Sequence, residues 1–190
     1  KLIEKEKLIK NFENYNLTQL HALPVLNGII KLKFNKYFFY MININNDDGV
    51  VLKYLWRNHY EPFSLKLWYK ITREDKYYID IGAHTGIYSI IGNLNKNQNQ
   101  IISIEPYFLN YARLISNLRL NNISHKYCSL SAMSNCEGQD TFLIKTDSYY
   151  LSQGGKITEG GREIAKTILQ QLGGNKFIAM TGAKHLGHTN

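Results

Sequence analysis

Asp80, Gly82, Gly86 and Glu105 are the residues whose types and spacing point to chemistry. In Tyr77-Tyr78-Ile79-Asp80-Ile81-Gly82-Ala83-His84-Thr85-Gly86-Ile87-Tyr88-Ser89-Ile90-Ile91, an apolar, β-branched run ends in a carboxylate and two glycines. A second apolar run follows at helical spacing, so the stretch predicts a buried strand, a tight loop and a helix. Gly82 permits backbone dihedrals closed to other residues, and Gly86 lets the helix start approach a ligand or the strand. A helix start offers free N–H groups and a partial positive charge. Asp80 falls at the carboxyl end of the strand, where open α/β sheets bind their ligands.

The glycine spacing departs from the G-x-G-x-x-G of a dinucleotide fingerprint, because His84 and Ile87 stand where its second and third glycines would be, with Gly86 a near-miss for the third. D-x-G-x-x-x-G remains, a weak signal alone. It gains weight from Gln100-Ile101-Ile102-Ser103-Ile104-Glu105-Pro106, which reads as a second buried strand ending in an acid. Glu105 follows Gly82 by 23 positions (105 − 82), close to the spacing at which an acid in a βαβ unit reaches ribose hydroxyls. A carboxylate suits a diol because it accepts two hydrogen bonds at once.

The stretch from Asp80 to Ser89, then Ile104-Glu105-Pro106, then Leu130-Ser131-Ala132-Met133-Ser134 with Glu137-Gly138, resembles the FkbM family of S-adenosylmethionine-dependent methyltransferases. The resemblance runs from residue 25 to residue 145. It implies an α/β fold: a Rossmann-like class I methyltransferase sheet with flanking helices. It also implies S-adenosylmethionine as cofactor and O-methylation of a hydroxyl on a sugar or natural product. By that likeness Asp80 and Gly82 would lie beside the methionine part of the cofactor, Glu105 would hold its ribose, and Ser131 and Ala132 would lie near its adenine. Ala83, His84, Gly86 and Pro106 complete the implied cofactor-binding set; the family has Asn where this chain has His84. Tyr60-Glu61-Pro62 matches a Tyr-Glu-Pro stretch that precedes the glycine loop in the family. Glu61 therefore either faces the cofactor pocket or, as a first-turn acid, satisfies a helix dipole. No residue identifies itself as a catalytic base.

Family members continue past Lys145 with another buried strand carrying a D-x-E-G-like motif, which is absent here. The sheet is therefore expected to be incomplete, with a bare edge that invites self-association. A truncated, inactive remnant and a non-enzymatic nucleotide-binding module stand beside the methyltransferase reading. The first residue is Lys1, not Met, as in a segment of a longer protein.

The elements that must position these residues are legible in outline. The chain has 190 residues, 44% hydrophobic and 20% charged, which is globular composition. Residues 25–150 form the methyltransferase-like domain and residues 1–24 a helical extension, with an amphipathic helix over 2–15. Gly28–Phe34 and Tyr37–Ile44 read as a hairpin turning at Asn35-Lys36. Asp47-Asp48-Gly49 starts a helix over Val50–Trp56, and Glu61-Pro62 starts another that includes Leu65, Leu67, Trp68 and Ile71. Phe108 to Leu120 is the crossover helix of a βαβ unit, ended by Asn121-Asn122. Tyr127–Met133 reads as a third strand, Asn135–Gln139 as a turn and Thr141–Lys145 as a fourth strand.

Residues 151–190 are expected to be unrelated to the domain or poorly ordered, with a junction near residue 155 marked by Gly154-Gly155 and Gly160-Gly161. Glu163–Leu172 reads as a helix and Asn175–Thr181 as a strand. The stretch from Ile164 to Lys184 resembles the start of a small phage-type protein of unknown function. His185 and His188 stand in a tail expected to be disordered.

The net charge of +8 comes from 23 basic and 15 acidic residues. The basic residues form no run, so no nucleic-acid partner is expected unless folding assembles a surface patch. Cys128 and Cys136 fit a reducing compartment, and no histidines stand at zinc spacing from them, so no metal is expected. With no signal peptide and no apolar run of membrane-spanning length, the expected location is cytoplasmic. His21, His59 and His125 read as packing or surface residues.

Overall fold

The computed structural model describes residues 2–4, 12–74, 76–94, 101–133 and 177–181. Two sheets organise them. The first contains β1 (Leu2–Glu4), β2 (Gly28–Phe34) and β3 (Tyr37–Asn43), in that order. β2 and β3 are the expected hairpin, antiparallel from Gly28↔Asn43 to Phe34↔Tyr37. Asn35 takes the left-handed backbone (φ 52°) that the tight turn requires. Alternation sets the faces: Ile30, Leu32, Phe34, Phe39 and Met41 are buried, while Lys33 and Phe38 point outward.

The helix expected over 2–15 is corrected at its start. Leu2–Glu4 is a strand, parallel to β2 in the register Leu2↔Ile29, Ile3↔Ile30, Glu4↔Lys31. The edge of β2 opposite β3 offers unpaired backbone groups, and three residues of pairing satisfy them whatever the helical periodicity. The nearby helix is α1 (Leu17–His21). It is closed by a capping box in which Asn16 and Gln19 exchange side-chain and backbone hydrogen bonds of 2.8 and 2.9 Å.

The second sheet is parallel throughout: β6 (Cys128–Ser129), β5 (Ile101–Ile104), β4 (Tyr77–Ile81) and β7 (Phe177–Thr181). α4 (Ile87–Asn93) joins β4 to β5, and α5 (Phe108–Leu120) joins β5 to β6. The chain steps outward from β4 on one side and returns on the other as β7. This is the order of a doubly wound α/β sheet, reversing at β4. The early-ending sheet was expected to leave an open edge, but β7 pairs along β4 from Tyr77↔Phe177 to Ile81↔Thr181. The third strand is shorter than expected. β5 ends before Glu105, so only Ser103 and Ile104 remain to pair with Cys128 and Ser129. The readings at 135–139, 141–145, 154–155, 160–161 and 163–172 lie outside the described residues, as does the tail from 182.

α2 (Gly49–Arg57) begins where expected: buried Asp48 accepts the N–H groups of Val50 and Val51 at 2.9 and 3.2 Å. α3 (Pro62–Ile71) carries Trp68, fully buried, whose Nε1 donates to the Tyr88 carbonyl at 2.8 Å. Its indole meets Tyr78 and Tyr88 edge-on, locking α3 and α4 onto one face of the sheet. A smaller cluster of Ile79, Ile81, Ile104 and Met133 forms a second core.

Candidate functional site at the tips of β4 and β5

At the end of β4 the backbone turns sharply. Gly82 has φ 74°, and its N–H and that of Ala83 both donate to the Ile104 carbonyl, at 2.8 and 3.0 Å. The loop is thereby hooked onto the neighbouring strand. His84 is also left-handed (φ 51°), which aims its N–H at Glu105 Oε2, 2.7 Å away. Glu105 Oε1 accepts the Tyr107 N–H at 3.0 Å and Asn110 Nδ2 at 3.4 Å. The glycine loop and the acid are thus neighbours, joined by a direct charge-assisted bond.

The two glycines serve different ends. A Cβ on Gly82 would meet no heavy atom within 4 Å, so the space over this strand tip is open. A Cβ on Gly86 (φ 98°) would lie 2.6 Å from Leu114 Cδ1. Gly86 was read as allowing approach to a ligand or the strand; the close neighbour is α5.

Asp80 is buried beneath the loop. It accepts a 2.6 Å bond from Ser89 Oγ, which lies 2.7 Å from Ser103 Oγ, so β4, α4 and β5 meet at one polar node. Burial pushes the Asp80 carboxyl up to about 7; the Ser89 bond opposes this and the Glu105 charge adds to it.

Glu61 sits before α3 with left-handed backbone (φ 41°) and makes no side-chain cap. Its Oε2 instead accepts the Tyr88 hydroxyl at 2.6 Å, one residue into α4. Neither sequence reading, the cofactor pocket or the helix dipole, named this contact with the first turn of α4. Burial first, then Glu61, holds the Tyr60 and Tyr88 hydroxyls above the ordinary tyrosine range, so both stay protonated donors.

Ser131 and Ala132 follow β6. The Ser129 carbonyl takes the Glu105 N–H at 3.1 Å, and Ser131 Oγ lies 2.8 Å from Ser129 Oγ. Pro106, half-buried, leads from Glu105 into α5. Cys128 beside them is half-buried, and burial pushes its thiol up to about 11. Among the described residues no group of three His, Cys, Asp or Glu side chains is placed to hold a metal, and no helix is long and apolar enough to cross a membrane.

A second set of residues was not anticipated. Buried Asn117 donates through Nδ2 to the Thr85 carbonyl at 2.8 Å, and its Oδ1 accepts the Ile42 N–H at 2.8 Å. Asn121 exchanges two bonds with the Tyr40 backbone, at 2.8 and 2.7 Å. Arg113 donates to the Ile42 carbonyl at 3.0 Å and pairs with Asp47 at 2.8 Å. Arg113 and Asn117 on α5 and Asn121 at its C-cap, at i, i+4 and i+8, tie the glycine loop to the edge of β3 away from β2. Their spacing was the available signal, polar residues at helical period inside an apolar helix.

No family model matches the chain, and no curated protein matches it. Among solved structures the chain is similar to the N-terminal domain of human METTL16 in complex with SAH, at 17% identity and a TM-score of 0.35, over 92% of this chain and 70% of that one.

Proposed function

We propose that this chain binds S-adenosylmethionine at the tips of β4 and β5 and serves methyl transfer to a hydroxyl of a sugar or natural product, as an FkbM-like enzyme would. The observation that carries this is the 2.7 Å bond from the His84 N–H to Glu105 Oε2 beside the open space over Gly82. These strand tips lie where the strand order reverses, the usual ligand position in such sheets. Glu105 Oε2 takes one N–H and keeps acceptor capacity for a ribose hydroxyl. Ala83 and His84 would border the cofactor, and Ser131 and Ala132 would flank its adenine. When bound, the cofactor supplies a methyl group on a sulfonium for in-line displacement. This chain's part is to orient it and shield it from water.

A second reading, a nucleotide-binding module without turnover, is favoured by the state of the carboxylates. Asp80 is buried on Ser89, Glu105 holds the loop and Glu61 holds Tyr88, so none is poised as a base toward an acceptor. Titration calorimetry with S-adenosylhomocysteine tests both. Binding with methyl transfer to a hydroxyl acceptor supports the first, and binding without turnover the second. Absence of heat at millimolar ligand overturns cofactor binding, and preference for NAD overturns methyl transfer.

A further inference from the structure

We propose that Asp80 lets the site at the tips of β4 and β5 tell a positively charged sulfonium cofactor from its neutral thioether product, by giving up a proton when the charge arrives. This goes one step beyond the cofactor reading and rests on it. Asp80 is almost fully buried, where carboxylates are almost never found without a partner. Its contacts are built for a negative charge. The Ser89 hydroxyl and backbone both bond to it, the hydroxyl at 2.6 Å. With the acid ionised, the single hydroxyl proton of Ser89 goes to Asp80, so Ser103 Oγ, 2.7 Å away, must donate to Ser89. Two hydroxyls in series thus aim their dipoles at one carboxylate. What the described residues do not supply to it is a cation.

The titratable neighbours, element by element, leave that role open. On β5 stands Glu105, whose negative charge works against ionisation of Asp80. Tyr88 on α4 and Cys128 on β6 both feel the Asp80 charge, and both are neutral acids held above their ordinary range, chiefly by burial. On α5 the Arg113 guanidinium is paired with Asp47. On the other side β7 sets Met180 beside Asp80, and Phe177–Thr181 has no charged residue. His84, whose backbone bonds Glu105, is also titratable and is tested in parallel. Burial therefore keeps a proton on Asp80 up to about pH 7. Gly82, with open space over it, lies two residues further on, about 7 Å along the strand direction. A positive charge seated there acts on Asp80 through protein rather than water, which favours the ionised acid. The sulfonium and the thioether share every other charged group, so a difference between them isolates this one.

The test is titration calorimetry of the full chain with S-adenosylmethionine and with S-adenosylhomocysteine at pH 7, in phosphate and in Tris. These buffers differ in ionisation enthalpy, so the difference in heat counts the protons released. About half a proton more should leave with the sulfonium than with the thioether, since Asp80 is about half protonated at that pH. From pH 5 to pH 8 the preference for the sulfonium should rise about 3- to 50-fold, the reach of one charge pair at this separation between watery and protein-like screening. Asp80→Asn should abolish both effects, and His84→Asn should keep them. Binding of both ligands with equal proton counts overturns the charge exchange and leaves cofactor binding standing. A preference that is flat with pH also overturns it, as does loss of the proton release in His84→Asn. No heat with either ligand overturns cofactor binding and the charge exchange together. If Asp80→Asn fails to fold by circular dichroism, the wild-type proton counts and His84→Asn decide.

Discussion

Ser89 Oγ donates to Asp80 across 2.6 Å, and both residues are almost fully buried beneath the glycine loop. The Asp80 carboxyl is pushed by burial from its ordinary 3.8 up to about 7. The folded chain therefore holds a proton there that the unfolded chain releases between those values. Stability then falls as pH rises from about 4 to about 7, by on the order of 4 kcal/mol, and levels off above. His21, lowered chiefly by burial, works the other way, gaining stability as pH rises toward 6.5. Urea unfolding of the wild type and Asp80→Asn at pH 5 and pH 8 separates the two. The variant should lose the decline and keep the His21 contribution. Parallel pH profiles would show that Asp80 is not the titrating group.

Removal of the Glu105 carboxylate reaches both the loop and the proposed ligand. Glu105→Ala leaves the His84 and Tyr107 N–H groups without their acceptor, a loss of about 1–3 kcal/mol in unfolding free energy. Affinity for S-adenosylhomocysteine should drop about ten- to a hundredfold, the value of a charge-assisted bond. Calorimetry alongside thermal melts reads both. Unchanged affinity in a folded variant would remove Glu105 from the ribose role.

The two glycines should separate stability from binding. Gly86→Ala forces a Cβ against Leu114 at an unfavourable φ and should cost about 2–4 kcal/mol of stability. Gly82→Ala meets only the backbone penalty, about 1–2 kcal/mol, because nothing lies within 4 Å. Its methyl group would instead project into the proposed ligand space. The expected pattern is a mild melting shift with strong loss of binding for Gly82→Ala, and a large melting shift for Gly86→Ala. Equal melting shifts would contradict the packing at Leu114.

Asn121→Ala strips both partners from the Tyr40 backbone, and Asn117→Ala strips one each from Ile42 and Thr85. The buried Asn117 variant should lose about 2–4 kcal/mol, and the half-buried Asn121 variant about 1–2 kcal/mol, since unpaired amides cost most where water is excluded. Hydrogen exchange locates the loss: the Tyr40 amide should exchange faster in Asn121→Ala and the Ile42 amide in Asn117→Ala. Protection unaltered at both would show that these side-chain bonds are not what shields the edge of β3.

What the sequence revealed follows from the range of the forces involved. The strand, the glycine turn and the acid at 105 were legible because local geometry imposes them: β-branched residues before Asp80, a positive φ at Gly82, an acid at the next strand's end. The hairpin was legible for the same reason, with Asn35 marking its turn. β1 was not, because three residues carry too little pattern and their pairing is set by the vacant side of β2. The strand at Phe177–Thr181 was legible as a strand but not as the neighbour of β4, since a parallel partner is chosen across a long stretch of chain. Asn117, Asn121 and Arg113 were hidden for a different reason. A polar residue on a helix reads as solvent-facing, and only the fold reveals that β3 lies along that stripe. Glu61 left two readings open, and neither foresaw its bond to the Tyr88 hydroxyl.

The tie between α5 and β3 makes each element a ruler for the other. Four residues of α-helix advance about 6 Å and two residues of strand about 6.8 Å. Asn117 and Asn121 therefore meet Ile42 and Tyr40 in step. One residue inserted between the two asparagines would swing the second by about 100° around the helix, away from the strand. Evolution can thus vary the outer surface of this helix freely, but it cannot change the length of this turn without releasing the hairpin from the loop it steadies.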